Sequence, residues 1–407
     1  NSPVWFNVGV EETPQCSACQ PWDAMVSTPG GLVPIGQLVD DDAVGTKVYD
    51  AHGVTKVVAT KHNGRKHVLR VHLKSGAYLD VTPDHLVWRA DGSSGRGEFV
   101  EAGELRPGDR LEWHRTYAYG DGEITSTAIA EAALAGWLQS DGFVGQYEGT
   151  NRSLTIEAMT VNDAERAWVL DAIDRVLPGM HRHEWTVETR DASLDCRRTR
   201  IYGEGLRAFI ERWDLMTRGT EMAVPQALYT APLPIVAAYL RSLFQAEGYV
   251  QVRERSARIG LDMISEDVVR GAQALLQRFG IFSRVSFEAD ARSDRHGCWS
   301  LSIATLGDRA AFRDEIGFVD DRKTAKLEAS LELEGHAIAG SKTLQIARIE
   351  DLGVTDVYDI QTESGEYLSG NLRVHNCFIL QVEDTMSSIL NSYVEEGTIF
   401  KGGSGAG

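Results

Sequence analysis

Two nine-residue segments of this sequence repeat each other. LAGWLQSDG (134–142) aligns position by position with LRSLFQAEG (240–248), so that Asp141 corresponds to Glu247 at an offset of 106 residues. Each segment is followed by a strand pattern, a helix pattern and a second strand–helix pair. A repeat of this length that occurs only twice predicts two similar half-domains related by a pseudo-two-fold axis, and it is too long for a solenoid.

The repeat lies in a region whose character differs from the rest of the chain. Residues 19–118 and 342–376 have the alternation, the β-branched residues and the Gly, Pro, Asp and Asn punctuation of short strands. Between them, STAIAEAALAGWLQSDG and PLPIVAAYLRSLFQAEG have the apolar spacing of helices. The sequence therefore predicts a β-rich region that is split by an α/β insert at about 120–340.

Composition and cysteine use indicate where the protein works. A length of 407 residues predicts two or three domains, and 43% hydrophobic residues are enough to form a core. We expect neither a transmembrane helix nor a signal peptide, because no long apolar run and no basic leader are present. An odd number of scattered cysteines predicts free thiols in a reducing, cytoplasmic compartment. They are Cys16, Cys19, Cys196, Cys298 and Cys377.

The net charge does not by itself favour nucleic acid as a partner. It is −18, whereas phosphate contacts need clustered Lys and Arg. The window 181–218 contains eight Arg against seven acids and is basic only relative to the rest of the chain. A DNA-binding face and a salt-bridged surface are both open interpretations of this window.

The repeated segments place two carboxylates at equivalent positions. Gly136 and Ser242 are small, so the two predicted helices can approach closely. Asp141 and Glu247 then meet at the negative ends of both helices, where a divalent cation relieves the repulsion. Oxygen ligands suit Mg²⁺, which can activate water and stabilise a leaving phosphate oxygen. The alternative is that each acid is a solvated residue beside a helix-ending Gly.

The paired segments resemble the motifs of LAGLIDADG homing endonucleases. VPQALYTAPLPIVAAYLRSLFQAEGYV is similar to the second motif of that family together with its preceding Pro, and ALLQRFGIFSRV resembles another family segment. The resemblance implies an α/β domain with two pseudo-two-fold related halves, whose saddle of strands cleaves double-stranded DNA. It also implies that Asp141 and Glu247 bind Mg²⁺ and act in catalysis.

One position departs from this family's pattern. The family usually has a catalytic Lys just before the Pro that precedes the second motif, and this chain has Met222 and Ala223 there. Impaired cleavage of at least one DNA strand is therefore expected. IGFVDDRKTAK supplies Lys323 and Lys326 in the second half, and Lys326 is assigned the basic catalytic role.

His375, Asn376 and Cys377 are covalent neighbours near the C-terminus. The Asn376 amide can attack its own main-chain carbonyl to form a five-membered imide, and this cuts the chain. Such proximity is worth up to ~7–11 kcal/mol in well-oriented cases. His375 would protonate the leaving amine, and Cys377 would become an N-terminal thiol that accepts an acyl group. Taken alone, a tripeptide this short is more often an ordinary loop.

A thiol upstream can supply the acyl group. Attack of Cys19 on the carbonyl of Ala18 converts that peptide bond to a thioester, which requires a distorted bond and a stabilised oxyanion. In GAYLDVTPDHLVWR, Thr82 and His85 have T-x-x-H spacing. Thr82 and backbone N–H groups would bind the oxyanion, and His85 would protonate the leaving nitrogen. The alternative is that His85 is a core histidine.

In combination these segments resemble the ordered motifs of inteins. The segments are Cys19 with AMVSTPGGLVPIGQL, then VTPDH, VYDIQT and VHNC, and the resemblance covers residues 19–376. It implies a self-splicing Hint domain, an all-β horseshoe, with a LAGLIDADG insert. The horseshoe needs no cofactor and is expected to be a monomer with no membrane partner. The resemblance assigns catalytic roles to Cys19, Thr82, His85, Asp359, His375, Asn376 and Cys377.

Two of these implied assignments need comment. Asp359 of VYDI corresponds to the aspartate that tunes the thiols, and we expect it to act as a hydrogen-bond and proton-transfer partner that orders the steps. Many inteins have a His about seven residues later, and here that position is Glu366. A carboxylate cannot replace an imidazolium as proton donor near neutral pH unless its pKa is raised.

The flanks carry a third resemblance. Joined, they contain NSPVWFN, SACFI and FKGGSGAG, which together resemble the large chain of adenosylcobalamin-dependent ribonucleotide reductases. This implies that the spliced host reduces ribonucleotides to deoxyribonucleotides, with Cys377 in its redox pair. The cobalamin-binding region lies outside this chain, and the role of Cys16 stays open. The predicted segments are 1–18 and 377–407 as flanks, 19–119 and 341–376 as splicing domain, and 120–340 as endonuclease.

Two other functions compete with splicing. The chain could be chiefly a DNA endonuclease with a vestigial splicing shell, or a Hint domain that cleaves without ligating. Asn376 followed by Cys377 disfavours the second, because ligation requires both residues.

Overall fold

The computed structural model describes residues 19–92, 96–146, 153–188, 195–289, 297–333 and 342–376, together with Tyr393. The predictions for Cys16, Ala18 and Cys377, and nearly all of both flanks, lie outside these residues. The chain divides into two compact units. The first comprises residues 1–29, 33–114 and 341–407, and the second comprises 30–32 and 115–340.

The strands and helices are numbered in chain order. The strands are β1 Gln20–Pro21, β2 Met25–Thr28, β3 Gly31–Pro34, β4 Lys47–Tyr49, β5 Val54–Leu73, β6 Tyr78–Val81, β7 Leu86–Ala90, β8 Gly97–Glu101, β9 Arg110–Glu112, β10 Gly142–Gln146, β11 Leu154–Thr160, β12 Arg182–Thr186, β13 Arg197–Tyr202, β14 Gly248–Arg253, β15 Ser256–Met263, β16 Arg284–Glu288, β17 Cys298–Ile303, β18 Thr343–Thr362, β19 Glu366–Ser369 and β20 Leu372–His375. The α-helices are α1 Ile35–Asp40, α2 Ser126–Gln139, α3 Asp163–Val176, α4 Arg207–Arg212, α5 Leu233–Ala246, α6 Glu266–Gln277, α7 Leu306–Glu315 and α8 Asp321–Leu331.

The first unit consists mainly of antiparallel strands. Their order is β2-β19-β20-β7-β9-β18-β5-β4, and β1, β6 and β8 pair with β18, β5 and β7. The longest pairing joins the 20-residue strands β5 and β18, and register shifts interrupt it at several points. In β5 the residues Val57, Val68 and Val71 are buried, which is the pattern of a half-buried strand. The β-rich prediction is confirmed, while the horseshoe stays a prediction.

A tight turn fixes the last hairpin of this unit. Gly370 and Asn371 join β19 to β20 with φ values of 53° and 64°. Two consecutive positive φ values are those of a type I′ turn, which matches the twist of a hairpin and favours Asn and Gly. Val374 of β20 then pairs with Val87 of β7. The turn therefore sets the register that positions the C-terminal residues of the predicted splicing site.

The second unit contains two matching half-domains. One sheet has the order β10-β11-β13-β12 and the other has the order β14-β15-β17-β16. Each sheet follows one of the repeated helices, α2 or α5, and the two helices pack on each other. The predicted internal repeat and its α/β character are confirmed. No helix among the described residues is long and apolar enough to span a membrane.

The contact between α2 and α5 depends on a glycine. A Cβ added at Gly136 would lie 2.5 Å from the carbonyl oxygen of Tyr239 and 3.2 Å from the Cβ of Ser242. Both positions were predicted from the sequence to permit close approach. Because the nearest obstacle is a backbone atom, neither helix can yield without moving as a whole.

Gly136→Ala should therefore destabilise the second unit. Ala usually stabilises an exposed helix position by about 1 kcal/mol relative to Gly. Overpacking against the Tyr239 carbonyl costs about 1–3 kcal/mol and should outweigh that gain. Denaturant unfolding of the full chain measures the net effect. Thr127→Ala, at an exposed position of the same helix, is the control. A net stabilisation by Gly136→Ala would contradict the close packing.

Candidate functional site

Two clusters of the predicted residues form in the structure, one in each unit. The first begins at Cys19, where the chain enters β1. The backbone N–H of Cys19 donates to the Thr82 hydroxyl oxygen at 3.0 Å, and the Thr82 N–H donates to the Cys19 carbonyl at 2.9 Å. Thr82 therefore lies on the nitrogen of the peptide bond that is predicted to react. The sequence analysis had placed it on the oxygen of that bond.

His85 is fully buried beside Cys19. Burial lowers the pKa of its imidazole to about 3, the charge of Asp84 raises it, and His375 lowers it further. The backbone of Cys19 also raises this pKa, although neither ring nitrogen meets hydrogen-bond geometry among the described residues. The lowered pKa keeps the ring neutral at pH 7. It can accept one proton and pass it on, which is compatible with the predicted protonation of the leaving nitrogen.

The C-terminal residues of the cluster surround one carbonyl group. His375 Nδ1 lies 2.6 Å from the main-chain carbonyl oxygen of Asn376. This is the carbonyl that the Asn376 amide is predicted to attack. Burial lowers the pKa of His375, while its contact with that carbonyl and the charge of Glu366 raise it. The contact reaches the oxygen of the bond to be cut, whereas the predicted role was protonation of the leaving nitrogen.

Two further residues hold Asn376, and both were missed from the sequence. The Thr362 hydroxyl, which lies 2.8 Å from the Glu366 carbonyl oxygen, also lies 3.3 Å from the Asn376 side-chain oxygen, and the Asn376 N–H donates to the Gly365 carbonyl at 3.1 Å. Asn376 itself is buried. Thr362 ends the motif VYDIQT, so the motif did contain the signal, although only Asp359 had been taken from it.

Glu366 occupies the position where a histidine is often found. Its carboxylate accepts two hydrogen bonds of 2.7 Å from Arg373, which also contacts Glu112 at 3.1 Å and stacks 3.8 Å from the ring centre of Trp88. Glu366 pairs with His375 across the hairpin. The Glu366 carboxylate acts on the His375 imidazole through its charge, which raises the pKa of His375.

Asp359 is fully buried on β18. Its carboxylate accepts the N–H of Ile360 at 2.9 Å. Gln20 pairs with Tyr358, and continuing this antiparallel register by one residue sets Cys19 opposite Asp359. The expected relation between Asp359 and the first thiol therefore agrees with strand register, and its proton-transfer role stays a prediction.

The second cluster contains Asp141 and Glu247, which follow the C-terminal ends of α2 and α5. Burial raises the pKa of the Asp141 carboxyl, and Glu165 raises it further. Although Glu247 is exposed, the surrounding protein and the charge of Asp141 also raise its pKa. No described residue donates a hydrogen bond to either carboxylate. The two acids therefore lie close enough to repel each other.

This donor set fits a hard divalent cation. Two carboxylates that repel each other and lack a protein hydrogen bond among the described residues gain most from an ion that accepts oxygen ligands. Within the described part of the chain, no group of three or more His, Cys, Asp and Glu side chains could hold a metal. The remaining ligands would have to be water, backbone carbonyls or the oxygens of a substrate.

Two cations cover the helix ends beside these acids at equivalent places. Arg218 donates to the carbonyl oxygens of Leu138 and Gly142 at 2.8 and 2.6 Å. The equivalent carbonyls of the second half-domain are those of Phe244 and Gly248, 106 residues after Leu138 and Gly142. Lys323 donates to both of them, at 2.7 Å to Gly248. Both cations oppose the negative ends of the helix dipoles. The sequence did not identify Arg218 as part of this site, because its loop shows no obvious similarity to the loop of Lys323.

Lys323, rather than Lys326, lies at the acid pair. Its charge lowers the pKa of both Asp141 and Glu247, and burial lowers its own pKa. Lys326 is exposed on α8. Of the two lysines in the segment considered, the structure thus brings Lys323 to the acids, and the catalytic role assigned to Lys326 stays a prediction. Met222 is buried, so the expected lysine position of the first half serves packing here.

The arginine-rich window is a salt-bridged surface. Arg198 and Arg200 contact the same carboxylate, that of Glu157, at 2.9 and 2.7 Å. Of the two interpretations left open for 181–218, this is the one observed among the described residues. The other ion-paired arginines of the window are Arg182, Arg197, Arg207 and Arg212.

Comparison with known proteins identifies the second half-domain. Residues 234–317 match the family model of the LAGLIDADG-like domain. This confirms the predicted second motif.

Among curated proteins, the DNA polymerase of Thermococcus litoralis is 23% identical over 350 residues, which are 78% of this chain and 19% of the relative. A DNA gyrase of Mycolicibacterium flavescens is 25% identical over 346 residues, which are 79% of this chain and 57% of the matched gyrase polypeptide. Protein RecA of Mycobacterium bovis is 26% identical over 244 residues, which are 56% and 28%. The chain thus spans between about a fifth and somewhat over half of these relatives.

Solved structures include the homing endonuclease I-DmoI in complex with DNA and Ca. It is 16% identical, has a TM-score of 0.36, and the match covers 50% of this chain and 100% of that chain.

Asp141→Asn should stabilise the protein in the absence of metal. A carboxyl whose pKa is raised on folding penalises the folded state above that pKa, and the penalty vanishes below the unfolded pKa near 3.9. Removing the charge should raise stability at pH 7 by up to about 1 kcal/mol, the usual scale for a partly exposed charge, and leave it unchanged at pH 3. Thermal unfolding at both pH values measures this.

Addition of Mg²⁺ provides the matching test for this variant. The parent should gain thermal stability from Mg²⁺ because the ion relieves the repulsion, and Asp141→Asn should not. Asp171→Asn, an exposed acid on α3 that is paired with Arg175, is the control. If Asp141→Asn were less stable than the parent at pH 7 without metal, the repulsive pair would be wrongly assigned.

Proposed function

We propose that this chain excises residues 19–376 by protein splicing and that the excised segment carries a DNA endonuclease. For splicing, the observation that carries the proposal is the 2.6 Å contact between His375 Nδ1 and the Asn376 carbonyl oxygen. A carbonyl accepts only, so Nδ1 carries the proton and polarises the bond that the Asn376 amide attacks.

The two ends of the segment act on each other in the first unit. His375 lowers the pKa of His85, so the imidazoles lie within electrostatic range although 290 positions separate them in sequence. Thr82 contacts the nitrogen of the N-terminal scissile bond, and Thr362 holds the side chain that cuts the C-terminal one. The residues at the two scissile bonds thus belong to the same unit, and successive acyl transfers require such proximity.

The proposed reaction runs in the order that the intein resemblance implies. Cys19 forms a thioester with the carbonyl of Ala18, and Cys377 takes over that acyl group. Asn376 then cyclises and releases the segment, and the joined flanks rearrange to an ordinary peptide bond. The neutral ring of His85 carries the proton that the Cys19 nitrogen gains as the first bond breaks.

The pattern among relatives supports an insertion. A DNA polymerase, a DNA gyrase and a RecA protein share this sequence over part of their lengths, although their names describe different activities. A self-contained segment that inserts into unrelated hosts gives this pattern. For the present chain we propose that the host is an adenosylcobalamin-dependent ribonucleotide reductase, on the strength of the flanking segments NSPVWFN, SACFI and FKGGSGAG.

The endonuclease proposal depends on the acid pair of the second unit. Asp141 and Glu247 would hold Mg²⁺, which would activate water and stabilise the leaving oxygen of a phosphodiester. Lys323 lies beside both acids and supplies positive charge toward a transferring phosphate. Residues on the second sheet, among them Gln251, Arg258 and Ser286, are at least partly exposed and suit DNA contacts. Double-stranded DNA is therefore the proposed partner.

Purified precursor should splice without any cofactor. Intact mass should show the segment 19–376 and a joined peptide made of 1–18 and 377–407. Asn376→Ala should reduce C-terminal release to background, because no amide remains to attack, yet added thiol should still cleave after Ala18. Cys377→Ser should strongly reduce ligation. Asn162→Ala, which removes a helix cap in the second unit, is the matched control. Precursor that is folded but unchanged after days would contradict splicing.

A plasmid with the joined coding sequence of the two flanks should be cut in Mg²⁺. Asp141→Asn or Glu247→Gln should abolish cutting and leave splicing intact. Lys323→Met should reduce the cutting rate by about 10²-fold, the scale for losing one electrostatic donor. Lys326→Met on the same helix is the control and should cut like the parent. An unaltered rate in Asp141→Asn would overturn the metal assignment.

A further inference from the structure

Strand β5 contains a bulge beside the first nucleophile. Arg65 pairs with Asp356 and His62 pairs with Tyr358, so Asn63 and Gly64 of β5 oppose a single residue of β18. Gly64 has φ of 67°, and a Cβ there would meet no atom within 4 Å. Glycine is therefore favoured at position 64 because the bulge needs a left-handed backbone there, and not because a neighbouring atom lies close.

The bulge changes which side chains share a face of β5. In a regular strand, residues three apart point to opposite faces, and one extra residue brings them to the same face. Asn63 lies in the bulge, and Lys66 is three residues further along β5. The Asn63 amide nitrogen lies 3.1 Å from the Cys19 sulfur, and Lys66 Nζ lies 3.7 Å from it. Both side chains thus reach one sulfur atom because of the bulge.

The surroundings of the Cys19 sulfur disfavour its thiolate, and these two contacts oppose that effect. Cys19 is fully buried and packs against Val68 and Val357. An apolar site disfavours a thiolate, and strand register sets the Asp359 carboxylate opposite, which disfavours it further. Lys66 brings the positive charge that opposes both effects, and the Asn63 amide adds a donor toward sulfur.

We propose that Asn63 and Lys66 are catalytic residues of the first acyl transfer, which the β5 bulge aims at Cys19 so that the buried thiol reacts as thiolate. This inference rests on the proposed splicing function. No intein motif identified in the sequence includes either residue.

The step balances without a co-reactant. The Cys19 thiol gives its proton to the neutral ring of His85, and the resulting thiolate forms the S–C bond to the Ala18 carbonyl carbon. The C–N bond then breaks, and the departing α-amine takes that proton from His85. Lys66 Nζ, 3.7 Å from the sulfur, stabilises the sulfur charge before the S–C bond forms. His85, which lies just before β7, and Asp359 on β18 also face this reaction.

The test isolates the first step in an Asn376→Ala background. Thiol-induced cleavage after Ala18 is followed over a range of pH. Lys66→Met should slow cleavage at neutral pH about tenfold and move the rate profile to higher pH, because the thiolate fraction falls. Asn63→Ala should slow it less. Lys66→Arg, which keeps the charge, should recover most of the loss.

Lys56→Met is the matched control, since this exposed lysine lies on the same strand away from the sulfur. A second readout is the ultraviolet absorbance of the Cys19 thiolate, taken as the difference from Cys19→Ser. Its titration should move upward in Lys66→Met whether or not the chain splices.

The possible outcomes separate the two proposals. If the Asn376→Ala parent is not cleaved by thiol, splicing fails as the function, and the thiolate titration alone decides the role of Lys66. If Lys66→Met titrates and cleaves like the parent, or if Lys56→Met shows an equal change, the inference is overturned. Should Lys66→Met not fold, Asn63→Ala and Lys66→Arg give the same decision.

Discussion

The antiparallel pairing of β5 with β18 is the constraint on which the proposed splicing site depends. β18 pairs with β5 along nearly its whole length and also with β1, so it brings the residue after Cys19 beside Tyr358. The same strand leads into the β19–β20 hairpin, which ends at His375. Residues at opposite ends of the segment therefore meet because one strand connects to both. Loop closure over a separation this long is costly, and only extensive pairing repays it.

Both candidate sites hold acidic groups in unfavourable places. Asp141 and Glu247 repel each other at the ends of two helices, and the carboxyl of Asp359 is buried on a strand whose register sets it opposite Cys19. A fold selected for stability alone would avoid these arrangements, since buried charge is expensive. In each case a nearby cation limits the cost without removing it, Lys323 in one unit and Lys66 in the other. Such residual strain is expected at sites that bind metal or react.

The sequence alone was enough to predict those half-domains and site residues that belong to short motifs in a fixed order. The repeat gave both half-domains and the acid pair, and Cys19, Thr82 and Asn376 were placed in one unit as expected. Contacts across strands could not be predicted, because Asn63 and Lys66 reach sulfur only through a bulge that no propensity reveals. Arg218 was missed for a related reason. Its equivalence to Lys323 rests on the carbonyls that both contact, and those are backbone atoms with no sequence signature.

The geometry of His375 limits how it can assist the last cleavage. Its Nδ1 donates to the Asn376 carbonyl, which fixes the proton on that nitrogen. Protonation of the leaving amine must then come from Nε2 or from a proton that arrives later. Burial keeps the ring neutral, whereas Glu366 favours the cation. In the proposed reaction the carbonyl oxygen gains negative charge during imide formation, which would favour the imidazolium, so that the ring would become an acid at the stage when the amine departs. A carboxylate at position 366 can therefore serve the reaction without carrying the proton itself.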